Sequence, residues 1–428
     1  MVATSLKPKL LGGSISNCRE HLRPHFPLSE PSEWISIRAS SRQFCSELVT
    51  FHQDEFHTLC IRDSSEECLP WLKGLRFASQ RMKNLNTLNI LLAHRPWMIN
   101  QDTIKSLTNA PLGRDKWSVP ELVHAIILLS HYHAFACFAK GCGFLQPIAE
   151  ITPKNHSNLK GRESSPDITT NDELSGTGTP LEGHAPSHHN NASHDTGLQV
   201  QSILQKMETL SANRAELEID ELKRRFEDIK SQATNEDFES PSTDDDSNKM
   251  KMIHTLIYSD QDTLEYVDFI SRENPGQYST HRMNDFSWKI HGFPTAESLY
   301  NEDICRSLDD KFDIISNLTY MTIGKYTSVD TTMFRRSVQN YIQCLYGIRQ
   351  DDYDYGEVNE LLPRPLKKYI KTLCCYPDRC QLSDYQSIMT DFLDSEKVHV
   401  CLLACEAKFE ASLIYALRGI SQYFSGSR

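Results

Sequence analysis

Apolar residues recur at helical spacing along most of this chain, and the clearest run follows Thr331. They fall there at i, i+3, i+4 and i+7, which is the spacing of one buried helical face. The members of this face are Phe334, Val338, Tyr341, Ile342, Leu345 and Ile348. Asp330 and Thr331 stand where the N-cap of this helix is expected. Because Thr331 and Arg335 are one turn apart, their hydroxyl and guanidinium groups can point at one small ligand.

The same spacing predicts helices elsewhere in the chain. Their predicted extents are 35–60, 69–97, 118–140, 367–375, 385–392 and 395–424. The third of these begins with Ser118 and Glu121, which match a capping box, and with Pro120 in the first turn.

Polar segments interrupt this helical pattern. Residues 1–33 are rich in Pro, Ser and Gly, 151–198 are mainly small and polar, and 235–248 are acidic. None of these segments carries enough apolar side chains to form a core. Between the last two, 199–231 has the spacing of a pair of amphipathic helices on a charged background.

These changes in pattern divide the chain into parts. We expect a disordered N terminus at 1–33 and an N-terminal helical half at 34–150. A partly disordered linker at 151–250 follows, and a C-terminal helical half occupies 251–428.

Charge and hydropathy exclude some partners. The 428 residues carry a net charge of −12, whereas nucleic acid or an anionic membrane surface requires a basic patch. The most apolar stretch, 121–139, contains three histidines and is therefore interpreted as a buried core helix. We expect no nucleic-acid partner and no membrane insertion.

The thirteen cysteines are odd in number and lie mostly inside apolar helical patterns. A secreted disulfide framework shows an even set in a shorter chain, so we expect a reducing compartment. Cys374, Cys375 and Cys380 lack a second pair at zinc-finger spacing. His124 and His131 are seven residues apart, and packing within the core explains them better than metal ligation does. We expect no metal and no cofactor.

An acidic and aromatic segment follows the helix that begins near Thr331. Residues 350–357 hold four carboxylates and two phenols, too much charge for a core and too many aromatic rings for a plain linker. With Asp capping the next helix, a solvated turn is one interpretation.

Several blocks together resemble the sestrin family over about 40–150 and 250–428. They are LLAHRPW, ELVHAIILLSHYHAFACFAKGCGF, DDYDYGEVNELL, KKYIKTLCCYP, SEKVHV and ALRGISQYF. The resemblance implies an all-α protein of two structurally similar halves, the first related to alkyl hydroperoxidase D proteins. It also implies a cytoplasmic protein, with the nucleus as a second location, whose C-terminal half binds leucine and the GATOR complex that controls TOR kinase signalling.

The resemblance also implies a set of leucine-binding residues. A receptor for a free amino acid has to neutralise the carboxylate, pair with the ammonium and bury the side chain. Arg335 and Glu396 match the family residues for the first two tasks. The remaining matches are Thr319, Tyr320, Thr322, Thr331, Phe334, Met389 and His399. Met389 replaces a family tryptophan, which leaves the preference for leucine open because a thioether is less rigid than an indole.

Other interpretations of these residues stay open. From the residues alone, an arginine and a glutamate on separate amphipathic helices form a solvated face or a surface salt bridge. Asp351 and Asp352 match the family's contact surface for the GATOR complex, against the solvated turn described above.

The runner-up function is a thiol peroxidase, with Cys45 reducing an alkyl hydroperoxide and His52 relaying the proton. On one helix these two residues lie on the same side but about 10 Å apart along the axis. Glu47 stands where the family has a tyrosine, and a nearby carboxylate raises a thiol pKa. A buried, inert Cys45 is the alternative, and a helical scaffold that has lost both activities is the third possibility.

Overall fold

The computed structural model describes residues 32–63, 65–110, 113–143, 198–213, 217–234, 257–258, 267–272, 276–319 and 321–426. The regular elements among these residues are helices apart from two pairs of two-residue strands, so the predicted all-α class is confirmed. The similarity of the two halves remains a prediction.

The first part of the chain forms short helices around one long one. They are α1 Ser32–Arg42, α2 Ser46–Arg62, α3 Gln80–Asn84, α4 Asn86–His94, α5 Gln101–Thr108 and α6 Val119–Gly141. Turns of 3₁₀ helix occupy Glu66–Lys73, Leu75–Phe77, Pro96–Met98 and Gly113–Asp115. Ser118 and Glu121 form the predicted capping box at the start of α6, so this long helix begins where the sequence indicates.

The remaining helices include two in the predicted linker. They are α7 Leu198–Ala212, α8 Ile219–Thr234, α9 Phe293–Leu299, α10 Glu302–Asn317, α11 Thr332–Leu345, α12 Gly356–Leu361, α13 Arg364–Cys375, α14 Leu382–Ile388 and α15 Asp394–Gly426. A π-helix at Trp288–Gly292 precedes α9, and Pro377–Arg379 is 3₁₀. Strands β1 His281–Arg282 and β4 Ile348–Arg349 pair in parallel, whereas β2 Thr322–Ile323 and β3 Tyr326–Thr327 form an antiparallel hairpin.

The prediction of one helix over 35–60 is wrong, because the chain breaks at Phe44 between α1 and α2. Phe44 has φ +51°, and the amides of Phe44 and Cys45 donate to the carbonyls of Ser41 and Ser40 at the end of α1. Cys45 is therefore the N-cap of α2 and not a residue inside a helix.

Three other predicted extents also change. The stretch 69–97 is a series of short helical pieces, the first of them a 3₁₀ helix around Pro70. The prediction over 385–392 is too late, since α14 ends at Ile388. Ile348 belongs to β4, because Gly347 has φ +74° and a Cβ there would lie 2.5 Å from the Phe269 ring.

The core lies around α6 and α15, which pack against each other along their length. Nearly all of α6 is buried, and α15 also packs on α5, α10, α11 and α13. One helical stretch of the described residues, Gly113–Gly141, is long and apolar enough to cross a membrane, but 83% of its apolar window is buried inside the protein. This helix is the centre of the fold, as the interpretation of 121–139 as a core helix requires.

The linker helices α7 and α8 pack on the C-terminal part of the chain, against α11 and α12. Arg225 of α8 forms two hydrogen bonds of 2.8 and 2.9 Å with the carboxylate of Asp354. One residue later, the Phe226 ring meets the Tyr355 ring edge-on at 4.8 Å. Helix α8 thus packs on the acidic segment that follows α11.

Candidate functional site

A small cavity lies where the end of α10, the β2–β3 hairpin, the start of α11 and the start of α15 meet. It is lined by Thr319, Thr322, Ile323, Thr331, Phe334, Arg335, Phe392, Glu396, His399, Val400 and Leu403. The fold therefore brings together most of the residues that the sequence assigned to leucine. Tyr320 lies outside the described residues.

Arg335 provides the cationic group of the cavity. It is 7% exposed, and its guanidinium donates to the Thr331 hydroxyl at 3.1 Å and the Thr332 hydroxyl at 3.0 Å. It also donates to the carbonyl of Ser316 and to Asn317 Oδ1. Burial lowers the pKa of Arg335, and Asp330 partly offsets this effect. No carboxylate in the described part of the chain forms an ion pair with it, so the positive charge is held by neutral acceptors.

Glu396 provides the anionic group in the first turn of α15. It is 3% exposed, and its Oε2 accepts hydrogen bonds from the backbone amides of Gly324 at 2.7 Å and Leu393 at 2.9 Å. The other carboxylate oxygen, Oε1, is buried and has no hydrogen-bond partner among the described residues. A buried carboxylate oxygen without a donor is costly, so this atom marks a place for a ligand's N–H group.

Gly324 is the turn residue that allows the Glu396 contact. It has φ +59°, and a Cβ there would lie 2.7 Å from the carbonyl oxygen of Asp391 and 3.4 Å from the side chain of Val200. Only glycine adopts this conformation without strain and leaves that space free. The sequence analysis did not identify Gly324, although a glycine between two short polar and apolar runs is a turn signal.

Thr319 and His399 form a second polar pair at the cavity. Nε2 of His399 contacts the carbonyl of Ile315 at 2.5 Å and therefore carries the proton, because a carbonyl only accepts. Burial lowers the pKa of His399, so the ring is neutral at pH 7. Its Nδ1 is then free to accept the hydroxyl of Thr319, which fixes that side chain at the cavity.

Apolar side chains form the remaining wall. The rings of Phe334 and Phe392 lie 5.8 Å apart, and Val400 and Leu403 of α15 complete the surface. Met389 is buried but does not line the cavity. Phe392, three residues later and not identified from the sequence, lies in the wall that was assigned to Met389.

The cavity is closed in this conformation. Its volume is about 10 Å³, which is room for about one water molecule. A leucine molecule is far larger, so binding requires the β2–β3 hairpin or the segment before α15 to move outward.

The acidic segment is more ordered than a solvated turn. Asp351 accepts from Arg349 at 2.6 Å and Arg282 at 3.0 Å, and its side chain is 10% exposed. Burial alone would raise the pKa of Asp351, but these two arginines hold it below its ordinary value. Asp352 is exposed and is the more accessible of the two predicted partner-binding carboxylates.

The acidic segment is also joined to the helix that carries Arg335. The hydroxyl of Tyr353 lies 3.0 Å from the hydroxyl of Ser337, two residues after Arg335 on α11. Tyr353 is 2% exposed, and the guanidinium of Arg336 lies 5.3 Å from its ring. A hydrogen bond therefore joins α11 directly to the segment that contains Asp351 and Asp352.

Cys45 lies in a separate apolar cluster with Leu48 and Ala136. It is fully buried, and burial raises the pKa of its thiol to about 12, with Lys140 and the amide of Leu48 opposing the rise. Glu47 adds a smaller increase in the same direction, as predicted from its charge, and accepts a hydrogen bond from Ser46. The thiol is therefore protonated at neutral pH, which is the unreactive form.

His52 has other partners than Cys45. Its Nδ1 lies 2.8 Å from the carboxylate of Glu33, and its ring meets Tyr132 edge-on at 4.6 Å. No hydrogen bond between Cys45 and His52 is found among the described residues. The arrangement does not assemble a thiol relay. Nor is any group of three or more His, Cys, Asp or Glu side chains within the described ranges placed to hold a metal ion.

Comparison with known proteins identifies the family. The model of the family described as PA26 p53-induced protein (sestrin) matches residues 4–424. The chain belongs to the sestrin family. Sestrin-3 of Mus musculus is 38% identical over 412 residues, covering 94% of this chain and 80% of that protein. The sestrin homolog of Drosophila melanogaster is 35% identical over 438 residues, covering 92% and 85%. Sestrin-1 of Xenopus laevis is 38% identical over 424 residues, covering 97% and 79%.

Membership in the sestrin family confirms the resemblance inferred from the sequence blocks. The match extends across the central polar region as well as both helical halves. The cavity around Arg335 and Glu396 thus lies in a sestrin, in the half where the resemblance predicted it.

Proposed function

We propose that this protein binds free leucine between Arg335 and Glu396 and, without leucine, binds and inhibits the GATOR complex, thereby lowering TOR kinase signalling. Its place of action is the cytoplasm, with the nucleus as a second location, in the response to nutrient and oxidative stress. Support comes from membership in the sestrin family and from the chemistry of the cavity.

The observation that carries this proposal is that, among the residues the structure describes, Oε1 of Glu396 has no hydrogen-bond partner and the buried Arg335 on the same cavity has no carboxylate partner. A free amino acid carries one ammonium and one carboxylate on the same carbon. Its ammonium supplies the missing donor to Glu396, and its carboxylate accepts from the planar guanidinium of Arg335.

The apolar wall determines which amino acids fit. Phe334, Phe392, Val400 and Leu403 contact the side chain of the ligand and offer it no charge. An aliphatic side chain gains free energy from this burial, whereas a guanidinium or carboxylate loses hydration without compensation. Leucine, isoleucine and methionine are therefore favoured over arginine.

Leucine alters the partner surface because the cavity has to open. In the closed form, Gly324 and Leu393 hold Glu396, and α7 rests against Gly324 through Val200. An opened hairpin displaces α7, while α11 carries the change through Ser337 to Tyr353. Leucine binds only the open state, so it shifts the population of the acidic segment that binds the partner.

Thermal unfolding in the presence of single amino acids tests which amino acid the protein binds. A ligand that binds only the folded state raises its stability, so leucine at millimolar concentration should raise Tm and arginine should not. Glu396→Gln keeps the shape of the side chain, removes its charge and should reduce the shift. Asp394→Asn, an exposed acid in the same first turn of α15, is the matched control and should retain it. An equal shift with arginine, or an unchanged shift in Glu396→Gln, contradicts the assignment.

Co-purification of GATOR subunits tests whether the acidic segment binds the GATOR complex. Asp352→Asn should reduce recovery of the subunits in leucine-free buffer and leave Tm nearly unchanged, because Asp352 is exposed. The matched control is Asp310→Asn on α10, away from the acidic segment. Full recovery with Asp352→Asn together with Asp351→Asn would show that the acidic segment is structural only.

A further inference from the structure

A buried lysine and a buried cysteine meet at the centre of the fold, where α6 packs on α15. Nζ of Lys408 lies 3.2 Å from Sγ of Cys137 and 2.9 Å from the carbonyl oxygen of Cys374. Lys408 is 1% exposed and Cys137 is fully buried. Neither residue belongs to the cavity around Glu396 or to the cluster around Cys45.

Lys408 has no carboxylate partner in the described part of the chain. The contrast is Lys371, also 1% exposed, which pairs with the carboxylate of Asp268 at 3.1 Å. The ammonium of Lys408 is held instead by the sulfur of Cys137 and the carbonyl oxygen of Cys374.

The core around Cys137 holds other buried polar side chains. Arg42 and Lys408 both act on the nearby rings of His94 and His133, and together with burial they lower the pKa of these rings. The histidines are therefore neutral. On its other side the thiol of Cys137 donates to Oε1 of Gln43 at 3.6 Å.

We propose that Cys137 and Lys408 form a peroxide-responsive pair whose oxidation joins α6 to α15 by a covalent sulfur–nitrogen bond. A thiolate held beside a lysine is the reactive form of cysteine, and hydrogen peroxide is small enough to reach it through local opening of the helices.

The chemistry balances in two steps. The Cys137 thiolate attacks one oxygen of hydrogen peroxide, the O–O bond breaks, and the hydroxide released takes a proton from the Lys408 ammonium to form water. Sulfur has now lost two electrons and is a sulfenic acid. The neutral amine of Lys408 attacks this sulfur, the S–O bond breaks, and hydroxide leaves with a proton from nitrogen as a second water. The product is a sulfenamide, which thiol reductants reverse.

This bond would change the protein as a whole because its two ends are 271 residues apart in the chain. A link between distant residues restricts the unfolded chain strongly, and here it would fix the two longest helices to each other. Oxidation thereby stiffens the core around which α5, α10, α11 and α13 pack, and α11 in turn contacts α12.

Peptide mapping of the full chain after peroxide treatment tests the pair. The reduced protein is treated with equimolar hydrogen peroxide, free thiols are blocked with N-ethylmaleimide, and the digest is analysed by mass spectrometry. The expected product is a linked pair of peptides containing Cys137 and Lys408, lighter by two hydrogens than the separate peptides, and removed by dithiothreitol. Oxidised protein should also show a higher Tm.

Variants distinguish the pair from its neighbours. The link and the rise in Tm should vanish in Cys137→Ser and in Lys408→Met, and persist in Cys45→Ser and in Lys371→Met. If Lys408→Met does not fold, Cys137→Ser still tests whether the link and the rise in Tm require the sulfur of Cys137, because serine keeps nearly the size of the side chain. A disulfide from Cys137 to Cys374, or Cys137 blocked by N-ethylmaleimide as completely after peroxide as before, would overturn the proposal.

Discussion

The carboxylate of Glu396 accepts a 2.7 Å hydrogen bond from the backbone amide of Gly324, and its second oxygen has no donor within the described ranges of the chain. This contact joins the first turn of α15 to the β2–β3 hairpin. It closes the cavity, and it keeps one acceptor available for a ligand's ammonium. Closure and ligand recognition therefore depend on the same side chain.

Gly324→Ala should destabilise the protein and weaken leucine binding. A left-handed conformation costs an L-residue about 1–2 kcal/mol, and the added Cβ also meets the Asp391 carbonyl oxygen at 2.7 Å. Urea denaturation measures the loss of stability. The control is Gly276→Ala, since a Cβ at Gly276 meets no atom within 4 Å and its stability should change little. Equal losses of stability in Gly324→Ala and Gly276→Ala would contradict the role assigned to the hairpin turn.

The packing of α8 on the acidic segment should be measurable as a coupling free energy between Arg225 and Asp354. The pair is half-buried and bidentate, so a double-mutant cycle should give about 0.5–1 kcal/mol. The pair Arg224 and Asp228 lies on the surface of one helix and should give about 0.3 kcal/mol. Limited proteolysis of Asp354→Ala should cut α7 and α8 sooner than in the parent. A coupling of zero for Arg225 and Asp354 would mean that α8 is held by Phe226 and its apolar neighbours alone.

Stability should depend on Asp351 in a way that changes with pH. Its pKa is lowered in the folded protein, so the carboxylate contributes stability above its unfolded pKa of about 3.9 and loses it as the pH falls through the lower folded value. The difference in unfolding free energy between the parent and Asp351→Asn should be constant from about pH 5 upward and shrink toward pH 3. Denaturant titrations across this range measure it, with the exposed Asp352→Asn as the control. A difference that grows toward acid pH would contradict the two ion pairs.

Cys45 should react slowly with alkylating agents in the folded protein. Its pKa of about 12 leaves almost no thiolate at pH 7.5, and the side chain is fully buried. Labelling with iodoacetamide, followed by peptide mapping, should modify the partly exposed Cys68 first. Hydroperoxide consumption should be the same in Cys45→Ser as in the parent. Loss of turnover in that variant would restore the peroxidase interpretation.

Much of the fold follows from local pattern. The five residues of the predicted α11 face from Phe334 to Leu345 are all buried, and the capping box of α6 starts that helix as expected. These features depend on neighbours within one or two turns, which a sequence displays directly. The break at Phe44 does not follow, because a phenylalanine at positive φ is held there by bonds to the end of α1 and not by turn chemistry of its own.

The candidate site likewise has features that local sequence predicts and features that depend on distant contacts. Thr331 and Arg335 are one turn apart, and the structure joins them by a hydrogen bond of 3.1 Å. Phe392, and not Met389, lines the cavity. This placement depends on where α14 ends and on the path of the chain from there to α15, which the spacing of apolar residues does not encode. The seating of α7 and α8 against the acidic segment depends on contacts across more than a hundred residues, such as Arg225 with Asp354. Sequence pattern alone cannot predict such pairings.

The most direct test of the central claim is titration calorimetry of leucine into the purified full chain, repeated with Glu396→Gln and Asp394→Asn. Leucine should bind at one site per chain in the parent and in Asp394→Asn. Its affinity should be lower by about 10- to 100-fold in Glu396→Gln, because a charge-assisted hydrogen bond to the ammonium is worth about 1.5–3 kcal/mol. Absence of heat at millimolar leucine, or equal affinity in Glu396→Gln, would contradict it.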